Sequence, residues 1–346
     1  MTFKKAIAST VLASCALASQ AQDSTKSLTI SGSVDAYYRY NGGKDSTNNL
    51  TSFTNSANSF ELGMASVRAD ATAWSGKVGA TVDLGYGNRA KEFSYNDDGI
   101  TQAVKQAYVT FAPSDKVKFT MGKFGTHVGY ELLDPQLNRN YSMSYMFSYG
   151  PFFHTGLKLD VTPVENVSFM VGVANPTDLT SASFEKKFIL GQFHAATKDG
   201  AFGGYLNYVG GKTMDDMKTS QLDLVLTGKV SDEFSVGYNG TTRSLRFGDD
   251  PKQSFWGSAL YLNYDPTSMF GLTLRGELFD DKKNGTDGVI GTSVFAATLS
   301  ANIKVAGLTI IPEFRMDSAK DAFFLKNNGD LNKSSGAFVL AAVYSF

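Results

Sequence analysis

The chain has 346 residues, of which 42% are apolar, 13% aromatic and 19% charged, with a formal net charge of -1 and a mean hydropathy of -0.16. No long apolar run follows the first few dozen positions, which excludes a helical membrane protein. High aromatic content, low net charge and a single cysteine, Cys15, exclude a disordered chain and a disulfide scaffold. Composition leaves a soluble all-β protein and a membrane barrel equally open.

In chain order, Lys4 and Lys5 precede an uncharged apolar run from Ala6 to Ala18, and Ser19, Gln20 and Ala21 supply small residues for cleavage. Residues 1–21 read as a secretory signal that leaves a mature barrel domain of 22–346. The apolar run is too short to span a hydrocarbon core of about 30 Å as a helix. Leu12-Ala13-Ser14-Cys15 also fits a lipobox, so lipidation at Cys15 is the alternative. Cleavage after Ala21 would leave no cysteine, which removes thiolate chemistry and cysteine-metal sites.

From Ser27 onward the dominant period is two. Leu28, Ile30, Val34, Ala36 and Tyr38 fall on one face of a first strand, with Thr29, Ser31, Ser33, Asp35, Tyr37 and Arg39 on the other. Leu272, Leu274 and Leu278 likewise alternate with Thr273, Arg275 and Glu277. About 16 such segments begin near Ser27, Asn58, Gly76, Thr101, Lys116, Phe152, Asn166, Lys187, Phe202, Thr219, Glu233, Gln253, Phe270, Thr292, Gly307 and Ser335. Every second link is short, as at Ala112-Pro113-Ser114-Asp115, Thr162-Pro163-Val164-Glu165 and Asp265-Pro266-Thr267-Ser268. The links between them are mostly long and polar. The expected fold is therefore all-β: a transmembrane, antiparallel, up-and-down barrel with short periplasmic turns and long extracellular loops.

Lipid offers backbone groups no hydrogen bonds, so such a sheet must close, and about 16 strands enclose an aqueous channel. Alternation points Arg39, Arg68, Asp70, Lys118, Lys158, Asp160, Arg275, Glu277, Glu313 and Arg315 into that channel as pore-lining residues. Asp35, Lys77, Asp83, Asp223, Lys229, Arg243 and Asp317 fall on the same faces. Their signs nearly balance, so weak charge selectivity is expected. The segment 125–151 carries many aromatics and methionines. Either it folds into the barrel, narrowing it with Glu131, Asp134, Arg139 and Tyr141, or it packs outside against other loops.

The chain ends on Phe338, Leu340, Ala342, Tyr344 and Phe346, an alternation like the C-terminal sorting strand of outer-membrane barrels, with Tyr344 and Phe346 as the signal read by the barrel-assembly machinery. The segments SLTISGSVDAYYRYN, QAYVTF, the block from Lys118 to Leu159 and the final AAVYSF resemble the OmpL-like β-barrel porin family of Gram-negative outer membranes. That resemblance covers nearly all of 22–346 and implies a pore-forming barrel in the outer membrane, passing small hydrophilic solutes or ions by diffusion. It supplies no catalytic residue.

His127, His154 and His194 lack the spacing of a zinc motif, and Ser142 or Ser144 with His154 makes a hydrolase site only by forcing. No catalytic residue, metal, cofactor or nucleic-acid partner is expected, and outer-membrane lipid is the expected surroundings. A closed barrel acting as adhesin or scaffold is the alternative function, a barrel hydrolase a remoter one, and a homotrimer is an arrangement the sequence leaves open.

Overall fold

The computed structural model describes residues 26–42 and 50–346; the leader read at 1–21, with Cys15, lies outside the described residues. Sixteen described strands form one closed barrel: β1 Ser27–Asn41, β2 Ser59–Ala73, β3 Val78–Tyr86, β4 Val104–Ser114, β5 Val117–Gly125, β6 Phe153–Val164, β7 Val167–Ala174, β8 Phe188–Ala196, β9 Phe202–Lys212, β10 Met217–Lys229, β11 Phe234–Phe247, β12 Gln253–Thr267, β13 Phe270–Lys283, β14 Ser293–Val305, β15 Leu308–Ala319 and β16 Ser334–Ser345. Each pairs antiparallel with the next. Strand β1 closes the ring on β16, in register from Ser33↔Ser345 to Asn41↔Ala337. Beyond that register, the N–H and C=O of Gly32 exchange hydrogen bonds with Phe346, both at 3.0 Å.

The two-residue period decides which way each side chain points. On β14, Phe295, Leu299 and Ile303 are exposed on the outer face, while Val294, Ala296, Thr298, Ser300 and Asn302 are buried inside. The same holds on β1, where Val34 and Tyr40 face out and Asp35, Tyr37 and Arg39 face in. An exterior of this kind, apolar around the ring, suits lipid and not water.

In three links read as turns from sequence the strands run further than expected, and the turn narrows to Asp115-Lys116, Glu165-Asn166 and Ser268-Met269. Pairing continues to Ser114↔Val117, Val164↔Val167 and Thr267↔Phe270, in each case after a register shift. Pro113, Pro163 and Pro266 lie in those irregular stretches, where a missing N–H breaks no regular ladder bond. The rim with these tight turns is opposite the rim carrying the long links. There, a short helix α1, Asn88–Phe93, follows β3, and another, α2, Tyr145–Ser148, lies between β5 and β6.

Leu299 sits mid-strand on the outer face. Leu299→Lys should therefore cost about 2–4 kcal/mol, measured by urea titration of the barrel folded into lipid vesicles. An unchanged midpoint would contradict the outward assignment.

Candidate functional site

The segment between β5 and β6 runs through the barrel interior, and its backbone is held by the charged side chains that alternation turns inward. Glu313 on β15 accepts from the N–H groups of Tyr141 at 2.7 Å and Ser142 at 3.1 Å. Glu277 on β13 does the same for Tyr145 and Met146, both at 2.9 Å. Asp223 on β10 accepts from Gly129 N–H at 2.9 Å.

Arginines serve the carbonyls. Arg275 donates to Ser142 O at 2.7 Å, Arg243 to Tyr149 O at 2.8 Å, and Arg315 to Met143 O. Arg89, on α1, donates to Leu133 O and Tyr141 O, each at 3.2 Å. These are charge-assisted bonds in a site largely closed to water, where each contributes more than a neutral bond would.

The four segment residues singled out from sequence each meet a wall group. Glu131 pairs with Arg275 and accepts from Ser144 N–H and Oγ, both at 2.8 Å. Asp134 pairs with Lys105 of β4, which also pairs with Asp83 at 3.0 Å. Arg139 pairs with Asp265 of β12, and the Tyr141 hydroxyl donates to Asp35 of β1.

The ten residues expected to line a channel divide into two groups. Arg39, Arg275, Glu277, Glu313 and Arg315 point inward but are not solvated wall charges: each is at most 2% exposed. The reason differs by residue. The β5–β6 segment lies over the last four, and Arg39 donates to Ser56 O at 2.6 Å. The second group, Arg68, Asp70, Lys118, Lys158 and Asp160, lies on β2, β5 and β6 and keeps contact with solvent. Arg68 grips Asp70 through two bonds, at 2.7 and 2.9 Å, with about a third of each side chain exposed. Lys158 stands 3.3 Å from Asp160, and Lys118 registers opposite Asp160.

Close approach of segment and wall requires missing side chains. A Cβ on Gly237 would lie 2.6 Å from the Tyr130 ring, and one on Gly257 would lie 2.3 Å from Met146 Cγ. Both glycines occupy inward positions, so each leaves a hollow that a segment side chain fills.

Sequence reasoning missed the contribution of other long-rim loops. Phe53, Phe93, Leu133, Met143, Phe147, Phe152 and Phe153 form one buried cluster, contributed by three loops and the start of β6. Glu92 on α1 accepts from Phe53 N–H at 2.7 Å. Asp178, between β7 and β8, accepts from Phe152 and Phe153 N–H at 2.7 and 2.9 Å, yet its burial is strong enough to push its carboxyl up to about 6. The available signal was phenylalanine at positions 53 and 93 within otherwise polar links.

Ser144 and His154, singled out from sequence with Ser142, are each bonded to other groups. Ser144 Oγ is engaged by Glu131 and caps Phe147 N–H at 3.1 Å, whereas His154 Nε2 meets Thr126 Oγ1 at 3.2 Å. At the chain end, Tyr344 and Phe346 lie exposed on the outer face and the closing seam.

A family model described as "Putative beta-barrel porin-2, OmpL-like" matches residues 27–346. No curated protein sequence matches the chain. Among solved structures, the chain is similar to an anion-selective porin from Comamonas acidovorans, at 11% identity and TM-score 0.64, covering 93% of this chain and 100% of that one. The outer-membrane channel DcaP of Acinetobacter baumannii is similar at 11% identity and TM-score 0.66, covering 94% and 98%. OmpT of Vibrio cholerae, in a trimer form, is similar at 12% identity and TM-score 0.63, covering 93% and 100%. At these identities the likeness is one of fold.

Asp178 makes stability depend on pH with a defined sign. Its folded value, about 6, exceeds the ordinary carboxyl value of 3.8, so the folded state binds the proton more tightly. Stability is then greatest below pH 4 as far as this group is concerned, and falls as pH rises through 6, by up to about 3 kcal/mol. Unfolding titrations from pH 4 to 7.5 should show this slope in the parent and a flatter one in Asp178→Asn.

Proposed function

The chain belongs to the OmpL-like β-barrel porin family of Gram-negative outer membranes, and from that premise we propose that it forms a water-filled channel in which solutes pass along one arc of the wall. The observation that carries this reading is the division of the inward charges. The β5–β6 segment lies over β13 to β15 and reaches β1, β4 and β10 to β12, whereas Arg68, Asp70, Lys118, Lys158 and Asp160, toward the short-turn ends of β2, β5 and β6, keep contact with water. Segment 125–151 acts as the constriction, with Glu131, Asp134, Arg139 and Tyr141 fixing it to the wall.

Transport through such a hole is passive. A hydrated solute exchanges part of its water shell for the side chains of the open arc, and no covalent step is involved. Three cationic and two anionic groups line that arc, so charge preference is weak and small hydrophilic solutes or ions of either sign cross. In this reading the chain acts as a channel and not as an enzyme: membership of a porin family supports that, and Ser144 is engaged in holding the loop. We propose a homotrimer as the membrane form, by analogy with the trimer form of OmpT. Tyr344 and Phe346 would serve as the signal for the barrel-assembly machinery.

A second reading, a closed barrel serving as adhesin or scaffold, is favoured by the buried phenylalanine cluster that ties three loops together over the mouth. Liposome swelling with sugars of graded size separates the two, since only an open channel gives size-dependent swelling.

Planar bilayer recording should show stepwise conductance from folded, heat-modifiable protein; its absence would overturn the channel reading. Glu277→Gln combined with Glu313→Gln weakens the acceptors of four segment N–H groups. That variant should show higher unit conductance and noisier open-channel current than the parent. In Gly257→Leu, where Met146 must leave its hollow, the same change is expected without any change in charge.

A further inference from the structure

At the long-rim mouth, where the constricting segment returns to the wall, lies a cavity of about 430 Å³. We propose that this cavity is a binding site for a small organic carboxylate with an apolar body, recognised by the Arg243 guanidinium. The proposal rests on the channel reading for its purpose, as a capture site ahead of the constriction, and deepens it by naming a solute class.

The case rests on which polar groups around the cavity are already engaged. Asp178 accepts through Oδ1 from two N–H groups and through Oδ2 from the Tyr95 hydroxyl at 3.3 Å. Both Glu92 oxygens accept, from Phe53 N–H and Asn55 Nδ2. Ser148 Oγ accepts from Ser52 N–H and donates to Ser144 O. Thr286 Oγ1 donates to Asp281 and accepts from Ile290 N–H. These groups hold loops together and have little capacity left for a solute.

Arg243 differs. It makes one hydrogen bond, from Nη1 to Tyr149 O. Inward Arg68, Arg139, Arg275 and Arg315 each have a carboxylate partner within ion-pair distance, whereas Arg243, among the described residues, has none. Its side chain is half-buried and lines the cavity. The remaining N–H groups of the fork are thus available at a position where water is partly excluded. A guanidinium fork matches a carboxylate in plane and spacing. Around it, Tyr149, Phe152, Val209 and Val289 offer apolar surface for the rest of the solute. Three acids stand on the cavity lining: Glu92 and Asp178, whose charge is partly met by the loop donors that they accept from, and Asp287, which is exposed and opposes an anion weakly, since solvent screens it.

The probe is phenylacetate, with phenylacetamide as its neutral counterpart, titrated by calorimetry into the full-length barrel folded in detergent micelles and checked for heat-modifiability. Phenylacetate should bind saturably and phenylacetamide at least about tenfold more weakly. Arg243→Gln should weaken phenylacetate binding about tenfold or more, Arg243→Lys should fall between, and Asp287→Asn should tighten it severalfold. Should Arg243→Gln fail to fold, the Asp287→Asn shift and the amide comparison decide alone.

Equal binding of acid and amide, unchanged binding in Arg243→Gln, or no binding at all would overturn the site. In planar bilayers, phenylacetate on the long-rim side should reduce potassium chloride current in the parent and not in Arg243→Gln. Absence of any conductance in the parent bears on the channel reading, and the micelle titration still decides the site.

Discussion

A polypeptide segment placed inside a barrel has no neighbouring strand to take its N–H and C=O groups, and the wall's own backbone is already paired around the ring. Every amide of such a segment must find a side chain or water, because an unmet buried amide costs as much as a lost hydrogen bond. In this protein the strands meet that demand with ionised side chains. Glu277 and Glu313 each hold two successive N–H groups, while Arg275, Arg315 and Arg243 hold carbonyls on the stretches between and beyond. The path of the segment through the interior and the burial of the wall groups that it covers both follow from where those charges stand.

The same arrangement explains how charges can be buried at all. An isolated ion in this setting would be strongly disfavoured, but Arg275 has Glu131 and Ser142 O, and Arg315 has Asp317 and Met143 O. Wall and segment stabilise each other's polar groups, so neither would be stable in this form alone. Removing a single partner therefore leaves an uncompensated charge, which is more damaging than removing a pair.

Much of the architecture could be read in advance because strand geometry is local. Side chains alternate whatever else happens, so every expected strand start lies within three residues of the observed one, and β1 through β16 follow in that order. The inward direction of Arg275 and Glu313 was legible by the same rule. Their covering by 125–151 was not, because it depends on contacts more than a hundred positions apart, such as Arg275 with Glu131 and Asn302 with Arg139. Nor does periodicity show that Gly237 and Gly257 are hollows. A glycine in a strand reads as slack in the ladder until a tyrosine or methionine is seen to fill the space beside it.

The seam where Gly32 meets Phe346 has a consequence for the order of events during assembly. The ring is completed by β16 pairing with β1. Until then β1 and β15 are both free edges, each a row of amides and carbonyls that hydrocarbon cannot satisfy. A chain lacking β16 is thus not a slightly smaller barrel but an open sheet with two unsatisfied edges. Every amide and carbonyl along those two edges is met only when β1 and β16 pair, so closure of the ring is all or none at this seam.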